Sequence, residues 1–197
     1  MTGEALRNIE TAKRLLRKFS SSQSHAVQVA KYCDIMAHAL PADTWVHQDE
    51  DYIAGLFHRL YLAALLHDIG HAIADKGHHK HSRYLILHSA LTQRWDEPLR
   101  NDVAAIALSH RKKASKSWLH ERFFDQVDVM KLAALLRIAD SLDRNHRGLV
   151  EITACSIQLG SFVLCVSHMS SELMDHVMTK KADLWKYVFP YSFVVKA

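Results

Sequence analysis

Apolar residues recur at helical spacing along the first three quarters of the chain and change to alternation after Gly148. The periodicity predicts helices over about 3–19, 24–40, 50–74, 79–91, 97–110 and 126–144. Helix-start chemistry supports several of them. The SSSQS cluster precedes His25, and Asp96 stands ahead of Glu97 and Pro98, with the proline in the first turn. Gly77 interrupts the chain between the third helix and the HHKHS segment. In the first helix Leu6, Ile9, Ala12 and Leu16 fall on one side, so it is expected to be amphipathic. Beyond Arg147 and Gly148, LVEITACSIQL and SFVLCVSHM are alternating, β-branched runs separated by Gly160 and Ser161, the pattern of a hairpin. A helix over about 171–187 follows, and YSFVVK reads as a last short strand. The expected fold is mostly α: a helical bundle over 1–148 with a small α+β appendage over 149–197 made of hairpin, helix and short strand. A segment that small is marginal alone, so it should pack on the bundle as part of a single structural unit.

Composition agrees. With 6 glycines and 3 prolines in 197 residues, long helices are favoured over a many-turned β fold. The apolar runs are short and interrupted, so no membrane span is expected. The N-terminal stretch alternates acid and base with no apolar core of a secretory signal. Three cysteines without CxxC spacing argue against a disulfide framework or a Cys–zinc site, and a cytoplasmic location is expected. A net charge of +4 suits a small anionic substrate and does not demand nucleic acid. Trp45, Trp95, Trp118 and Trp185 read as core or interface anchors. LAALL occurs twice, at 62–66 and 132–136, as expected of two inner helices that pack closely through small residues.

The chain has 15 histidines, and their placement is what carries chemistry. In LLHDIGHAIADKGHHKH, His67 and Asp68 end an apolar run, and Asp140 does the same in LLRIADSL. A carboxylate inside an apolar helix is costly unless paired, hydrogen-bonded or bound to metal. His67 and Asp68, about 100° apart on a helix, cannot form one flat chelate, but both can reach a cation lodged between helices. A helix carrying Asp140 and another carrying His25 would complete a nitrogen and oxygen shell. Such a donor set suits Mn, Fe, Co, Ni or Zn, and Mg less well. The bland alternatives are a helix-end ion pair for His67 and Asp68, and pairing of Asp140 with Arg137 or Arg144 along its helix.

The ordered set His25, His67–Asp68, Asp140 resembles the H…HD…D signature of the HD superfamily of metal-dependent phosphohydrolases. AALLHDIGHAI, GHHKHSRYLILHSAL, IALSHRKK and LLRIADSLDRNHRG together resemble the C-terminal HD domain of Ppx/GppA exopolyphosphatase-like proteins. Ser141 stands where a glycine often follows the last aspartate. The long exopolyphosphatases place polyphosphate chemistry in N-terminal ATPase-type domains, and no glycine-rich phosphate loop precedes residue 15. Exopolyphosphatase activity is therefore not carried over.

The resemblance implies an HD-domain bundle in which His25, His67, Asp68 and Asp140 hold a first metal. In binuclear relatives the HD aspartate bridges two ions, and His110 and His81 are the candidates for the second. Two ions about 3.5–4 Å apart would activate a bridging hydroxide. Asp68, His71, His110 and Arg111 are thus the expected catalytic residues, with His71 one turn beyond His67 as proton donor or phosphate contact. Lys80, Arg83, Arg111, Lys112 and Arg144 are expected to bind phosphate oxygens. His78 and His79 read as exposed loop residues, and His146 and His176 carry no assignment. The expected function is metal-dependent hydrolysis of a nucleotide or other small phosphate ester or anhydride. The alternative is a non-catalytic module that binds metal or nucleotide and regulates or assembles with a partner. A homo-oligomer stays open, and nucleic-acid binding through 111–116 has only charge behind it.

Overall fold

The structure, a computed structural model, describes residues 2–20, 22–111 and 126–197. The chain is mostly helical, with a three-stranded sheet at its C-terminal end. Helices α1 (Gly3–Phe19), α2 (Gln23–His38), α3 (Glu50–Leu66), α4 (His78–His88), α5 (Glu97–Leu108) and α6 (Val127–Leu142) form the bundle. Their starts follow the capping chemistry. Thr2 caps α1 by accepting from the Ala5 amide at 3.2 Å, Asp49 caps α3 through Tyr52 at 2.8 Å, and Asp96 caps α5 through Leu99 at 3.0 Å. On α1 the buried stripe is Ala12, Leu15 and Leu16, while Leu6 is exposed, so the amphipathic face lies further along the helix than its first turns suggest.

Helix α6 is the axis of the molecule. Apolar almost all round, it buries residues on every side, as a helix enclosed by neighbours must. Ala63 and Ala64 on α3 and Ala133 and Ala134 on α6 are fully buried, and these small residues let the two LAALL segments approach closely. Trp45, Trp95 and Trp185 are core residues; Trp118 lies outside the described residues.

One expected helix is broken. In place of a continuous 50–74, α3 stops at Leu66 and a 3₁₀ turn, Ile69–Ala72, follows. Asp68 between them has φ −110° and ψ 3°, the sparsely populated bridge region in which many active-site residues sit. Gly70 explains the break. Its amide donates to Ser82 Oγ on α4 at 2.9 Å, and a Cβ there would lie 2.1 Å from the His78 carbonyl oxygen and 2.4 Å from the Ser82 nitrogen. The chain thus leaves helical geometry to lay a bare backbone on the first turn of α4.

The tail follows the alternating pattern. Strands β1 (Glu151–Gln158) and β2 (Ser161–Ser167) are antiparallel, joined by Leu159 and Gly160, both at positive φ as a two-residue hairpin turn requires. Strand β3 (Ser192–Lys196) lies parallel to β2, from Ser161 opposite Ser192 to Cys165 opposite Lys196. The connection between them is not one helix. Helix α7 (Ser171–His176) runs into a π-turn, Val177–Lys181, and α8 (Trp185–Val188) follows after a break. Phe162, Trp185, Phe189 and Phe193 fill the space beneath the sheet. The tail is fastened to the bundle by polar links as well: the Tyr32 hydroxyl donates to the Val150 carbonyl, and buried Arg137 on α6 joins Asp183. Among the described residues no helix is long and apolar enough to cross a membrane.

The Gly70 contact yields a test. Gly70→Ala should destabilise the protein by about 2–3 kcal/mol or more, because the methyl group meets backbone that cannot swing away. Denaturant unfolding of the variant beside the unaltered protein measures it.

Candidate functional site

Five helical elements end at one place. His25 comes from the first turn of α2, His67 and Asp68 from the end of α3, His78 from the start of α4, His110 from the end of α5, and Asp140 from the last turns of α6. His25, His67, His78 and His110 are buried. Asp68 Oδ2 faces His25 Nε2 at 3.8 Å, His67 Nε2 at 3.5 Å and His71 Nε2 at 3.8 Å. Asp68 Oδ1 faces His78 Nε2 at 3.3 Å and His110 Nε2 at 3.4 Å. Asp140 Oδ1 lies 3.7 Å from His25 Nε2 and 3.6 Å from His67 Nε2.

Every one of these imidazoles has its other nitrogen tied. His25 Nδ1 pairs with Asp143 Oδ2 at 2.9 Å, and His71 Nδ1 with Asp75 Oδ1 at 2.8 Å. His67, His78 and His110 direct Nδ1 to the carbonyl oxygen three residues back, on Ala64, Asp75 and Ala107, at 2.8, 3.0 and 2.6 Å. A carbonyl accepts only from N–H, so Nδ1 carries the proton and Nε2 presents a lone pair when the ring is neutral. All the Nε2 atoms turn inward. His25 Nε2, His67 Nε2 and Asp68 Oδ1 are buried without a hydrogen-bond partner, and His78 and His110 bring their Nε2 atoms within 3.1 Å of each other. Two lone pairs at that separation repel unless a proton or a cation lies between them.

The residues present therefore fit a metal. Two donors held about 2.1 Å from one ion sit about 3.0–3.4 Å apart, close to the separations above. Ligand atoms of His25, His67, Asp68 and Asp140 all lie within 4.8 Å of one another, as do those of Asp68, His71 and His78. This buried group could hold a metal ion, with a nitrogen and oxygen donor set suited to a divalent transition metal.

The electrostatics of the group describe a pocket waiting for positive charge. Burial would lower the pKa of His67, but the carboxylates of Asp68 and Asp140 outweigh it and raise it to about 9. Burial would raise Asp68, yet His67 and His110 hold its carboxyl well below the usual range. Asp140 is likewise held low against burial by His25, His67 and Lys181. His78 is pushed down to about 4 and His110 is also lowered, in both cases by burial first. Around neutral pH the Asp68 and Asp140 carboxylates are thus charged, and they hold His67 as an imidazolium.

Several expected residues stand elsewhere. His81 does not face the carboxylates; its Cβ is packed against Gly70, and His78 takes the place expected for it. The reading of His78 as an exposed loop residue is corrected by the same contact, since α4 begins at His78. Lys80, Arg83, Arg111 and Arg144 are exposed, and none forms an ion pair among the described residues, while Lys112 lies outside those residues. Asp140 is paired with neither Arg137 nor Arg144: Arg137 reaches Asp183, and Asp140 Oδ2 accepts from Lys181 at 3.0 Å.

Three neighbours had escaped the sequence reading. Asp143, three residues after Asp140, holds His25 and accepts from the Gly148 amide at 2.6 Å through its other oxygen. His146, at φ 54°, stacks on the His25 ring with centroids 3.8 Å apart and planes within 4°. Lys181 comes from the tail. The DxxD spacing of Asp140 and Asp143 in LRIADSLD flags Asp143, whereas nothing local marks Lys181. A second cleft of about 470 Å³ lies at the other end of α3 and α6, beside Tyr52, Arg59, Asp102 and Asp128. Its polar groups answer one another: Arg59 pairs with Asp102, and Asp128 accepts from Tyr52 and Lys131.

The pKa shifts give the sign of the pH response in metal-stripped protein. His67, raised to about 9, contributes stability that is complete below about 6.5 and lost as pH rises through 9. His78 and His110, lowered, cost stability as pH falls below about 6.5, where the unfolded chain takes up protons that the folded one refuses. Chelator-treated protein should therefore be most stable near pH 6.5, with urea midpoints falling at pH 5 and at pH 9. Ring ¹⁵N shifts should show His67 still protonated at pH 8.

Comparison with curated proteins returns no match. A family model described as Ppx/GppA phosphatase, domain III, matches residues 7–184, nearly the whole chain. The chain belongs to the Ppx/GppA phosphatase domain III family.

Proposed function

We propose that the protein is a metal-dependent phosphohydrolase of the HD superfamily, acting on a nucleotide or another small phosphate ester or anhydride. The observation that carries this reading is the inward turn of the imidazoles, each pinned at Nδ1, onto the two oxygens of one buried carboxylate. His25, His67, Asp68 and Asp140 would hold one ion. His78 and His110, with Asp68, would hold a second. Bound divalent ions supply Lewis acidity, which acidifies a water and draws charge from a phosphoryl oxygen.

The remaining roles fall to the rim. His71, 41% exposed and oriented by Asp75, is placed to give a proton to a departing oxygen. Arg111, next to His110, together with Lys80, Arg83, Lys112 and Arg144, would be the candidates for contacts to phosphate oxygens. The buried ligands exclude water from one side, and the exposed edge at His71 gives the substrate its approach. Phosphatase kinship supports the same chemistry without naming the substrate.

Protein purified without a histidine tag should carry Mn, Fe, Co, Ni or Zn at one or two ions per chain by elemental analysis. With added Mn, Co, Ni or Mg it should hydrolyse a member of a panel of phosphate esters and nucleotides. Asp68→Ala and Asp140→Ala should each lower that activity by more than about a hundredfold. If two ions bind, His110→Ala should remove one of them and keep the other. Stoichiometric metal without turnover above the variants would make the chain a non-catalytic metal- or nucleotide-binding module. A wild type that takes up no metal and hydrolyses nothing above the variants would sink the enzyme reading and favour the non-catalytic module, in its nucleotide-binding form.

A further inference from the structure

We propose that the tail supplies a phosphoryl-oxygen subsite at this centre: Lys181, backed by Arg144, binds the anionic group of the substrate beside Asp140. The inference rests on the metal-centre reading above and adds to it a substrate contact from outside the bundle.

The first observation is backbone geometry. Helix α7 does not continue regularly; Val177–Lys181 forms a π-turn closed by the Ala182 amide on the Val177 carbonyl at 2.9 Å. A π-turn inserts one residue and turns everything after it by about 100°, and such bulges concentrate at functional sites. Here the turn delivers Lys181 to Asp140 and, two residues on, Asp183 to Arg137.

The second observation is the setting of the ammonium. The Lys181 side chain is 15% exposed, so its charge sits largely out of water, with Nζ 3.0 Å from Asp140 Oδ2. Asp140 already faces His25 and His67 through its other oxygen. With a divalent ion held by those residues, the Asp140 charge would be answered a second time. Lys181 then has positive charge to spare, and of its three N–H donors only one is taken by the carboxylate.

The third is company. Arg144 follows Asp140 by four residues at the end of α6, and His176 begins the π-turn. Burial first, and then the charges of Arg144, Lys181 and Lys180, lower the pKa of His176, with Asp140 alone acting against them. Lys181 and the nearby Arg144 thus bring positive charge to one flank of the site beside one carboxylate. Like charges gathered at a cleft raise the local concentration of anions. A compact ammonium suits a single non-bridging phosphoryl oxygen, and the exposed Arg144 guanidinium can take two oxygens at once. The group recognised is a phosphoryl dianion, whatever it is esterified to.

The test uses inorganic phosphate as the probe, titrated calorimetrically into metal-loaded full-length protein. Lys181→Gln should keep the wild-type metal content and bind phosphate about tenfold or more weakly, and Lys181→Arg should recover most of the loss. Lys181→Gln with full metal and unchanged phosphate affinity would overturn the subsite and leave the metal centre standing. Loss of metal in Lys181→Gln would also overturn it, because Lys181 would then act through Asp140. A wild type that holds metal but not phosphate overturns the subsite alone, whereas a wild type without metal overturns the centre and the subsite together. Should Lys181→Gln fail to fold, Arg144→Gln at the exposed rim carries the same comparison, with unchanged phosphate affinity as the overturning result.

Discussion

Two carboxylates cannot share a buried space in a helical bundle without positive charge to answer them, and that demand organises this protein. Asp68 follows and Asp140 ends an apolar run, and each carboxylate is largely withdrawn from water, which is expensive for a charge left alone. Histidines from four elements and one lysine converge to meet the cost. Helix ends, and not helix middles, supply these groups, since only there does the chain have room to turn a polar side chain inward while its apolar face stays packed.

One local device recurs. His67, His78 and His110 each close a bond from Nδ1 to the carbonyl three residues earlier. The bond uses a backbone acceptor near a helix terminus, fixes the tautomer and aims Nε2 along a defined line. The same geometry is thereby reproduced on three elements with no contribution from long-range packing. His25 is oriented differently: its Nδ1 pairs with a side-chain carboxylate, that of Asp143, in place of a backbone carbonyl.

How much of this could be read beforehand follows from whether a signal was local. His25, His67, Asp68 and Asp140 were legible because each stands at the margin of an apolar run, and the bundle with its α+β end was legible because the hydrophobic period changes at Gly148. His78 was not. Gly77 made the HHKHS segment look like a loop, and the placing of His78 depends on Gly70 lying against α4, a contact between elements that periodicity does not encode. The single helix expected over 50–74 failed for the same reason. Lys181 was invisible for another: a π-turn differs from an α-helix by one residue in register, and the tail's apolar spacing is too short to reveal the slip. Leu6 looked like core because its spacing was right, but the bundle does not extend over the first turns of α1.

Arg137 has a further consequence. Its guanidinium, buried within α6, donates to the carbonyl of Ser109, the residue before His110, at 2.9 Å and also joins Asp183 of the tail. The end of α5 and the segment after the π-turn are thus two moorings of one rigid cation. Losing either removes a partner from a buried cation, which is costly. The helices that carry the histidine and aspartate cluster and the C-terminal sheet are therefore not modules that could be exchanged separately between relatives. A descendant that kept the histidines and aspartates but replaced the tail would inherit a misplaced His110, so body and tail should travel through evolution as one heritable piece.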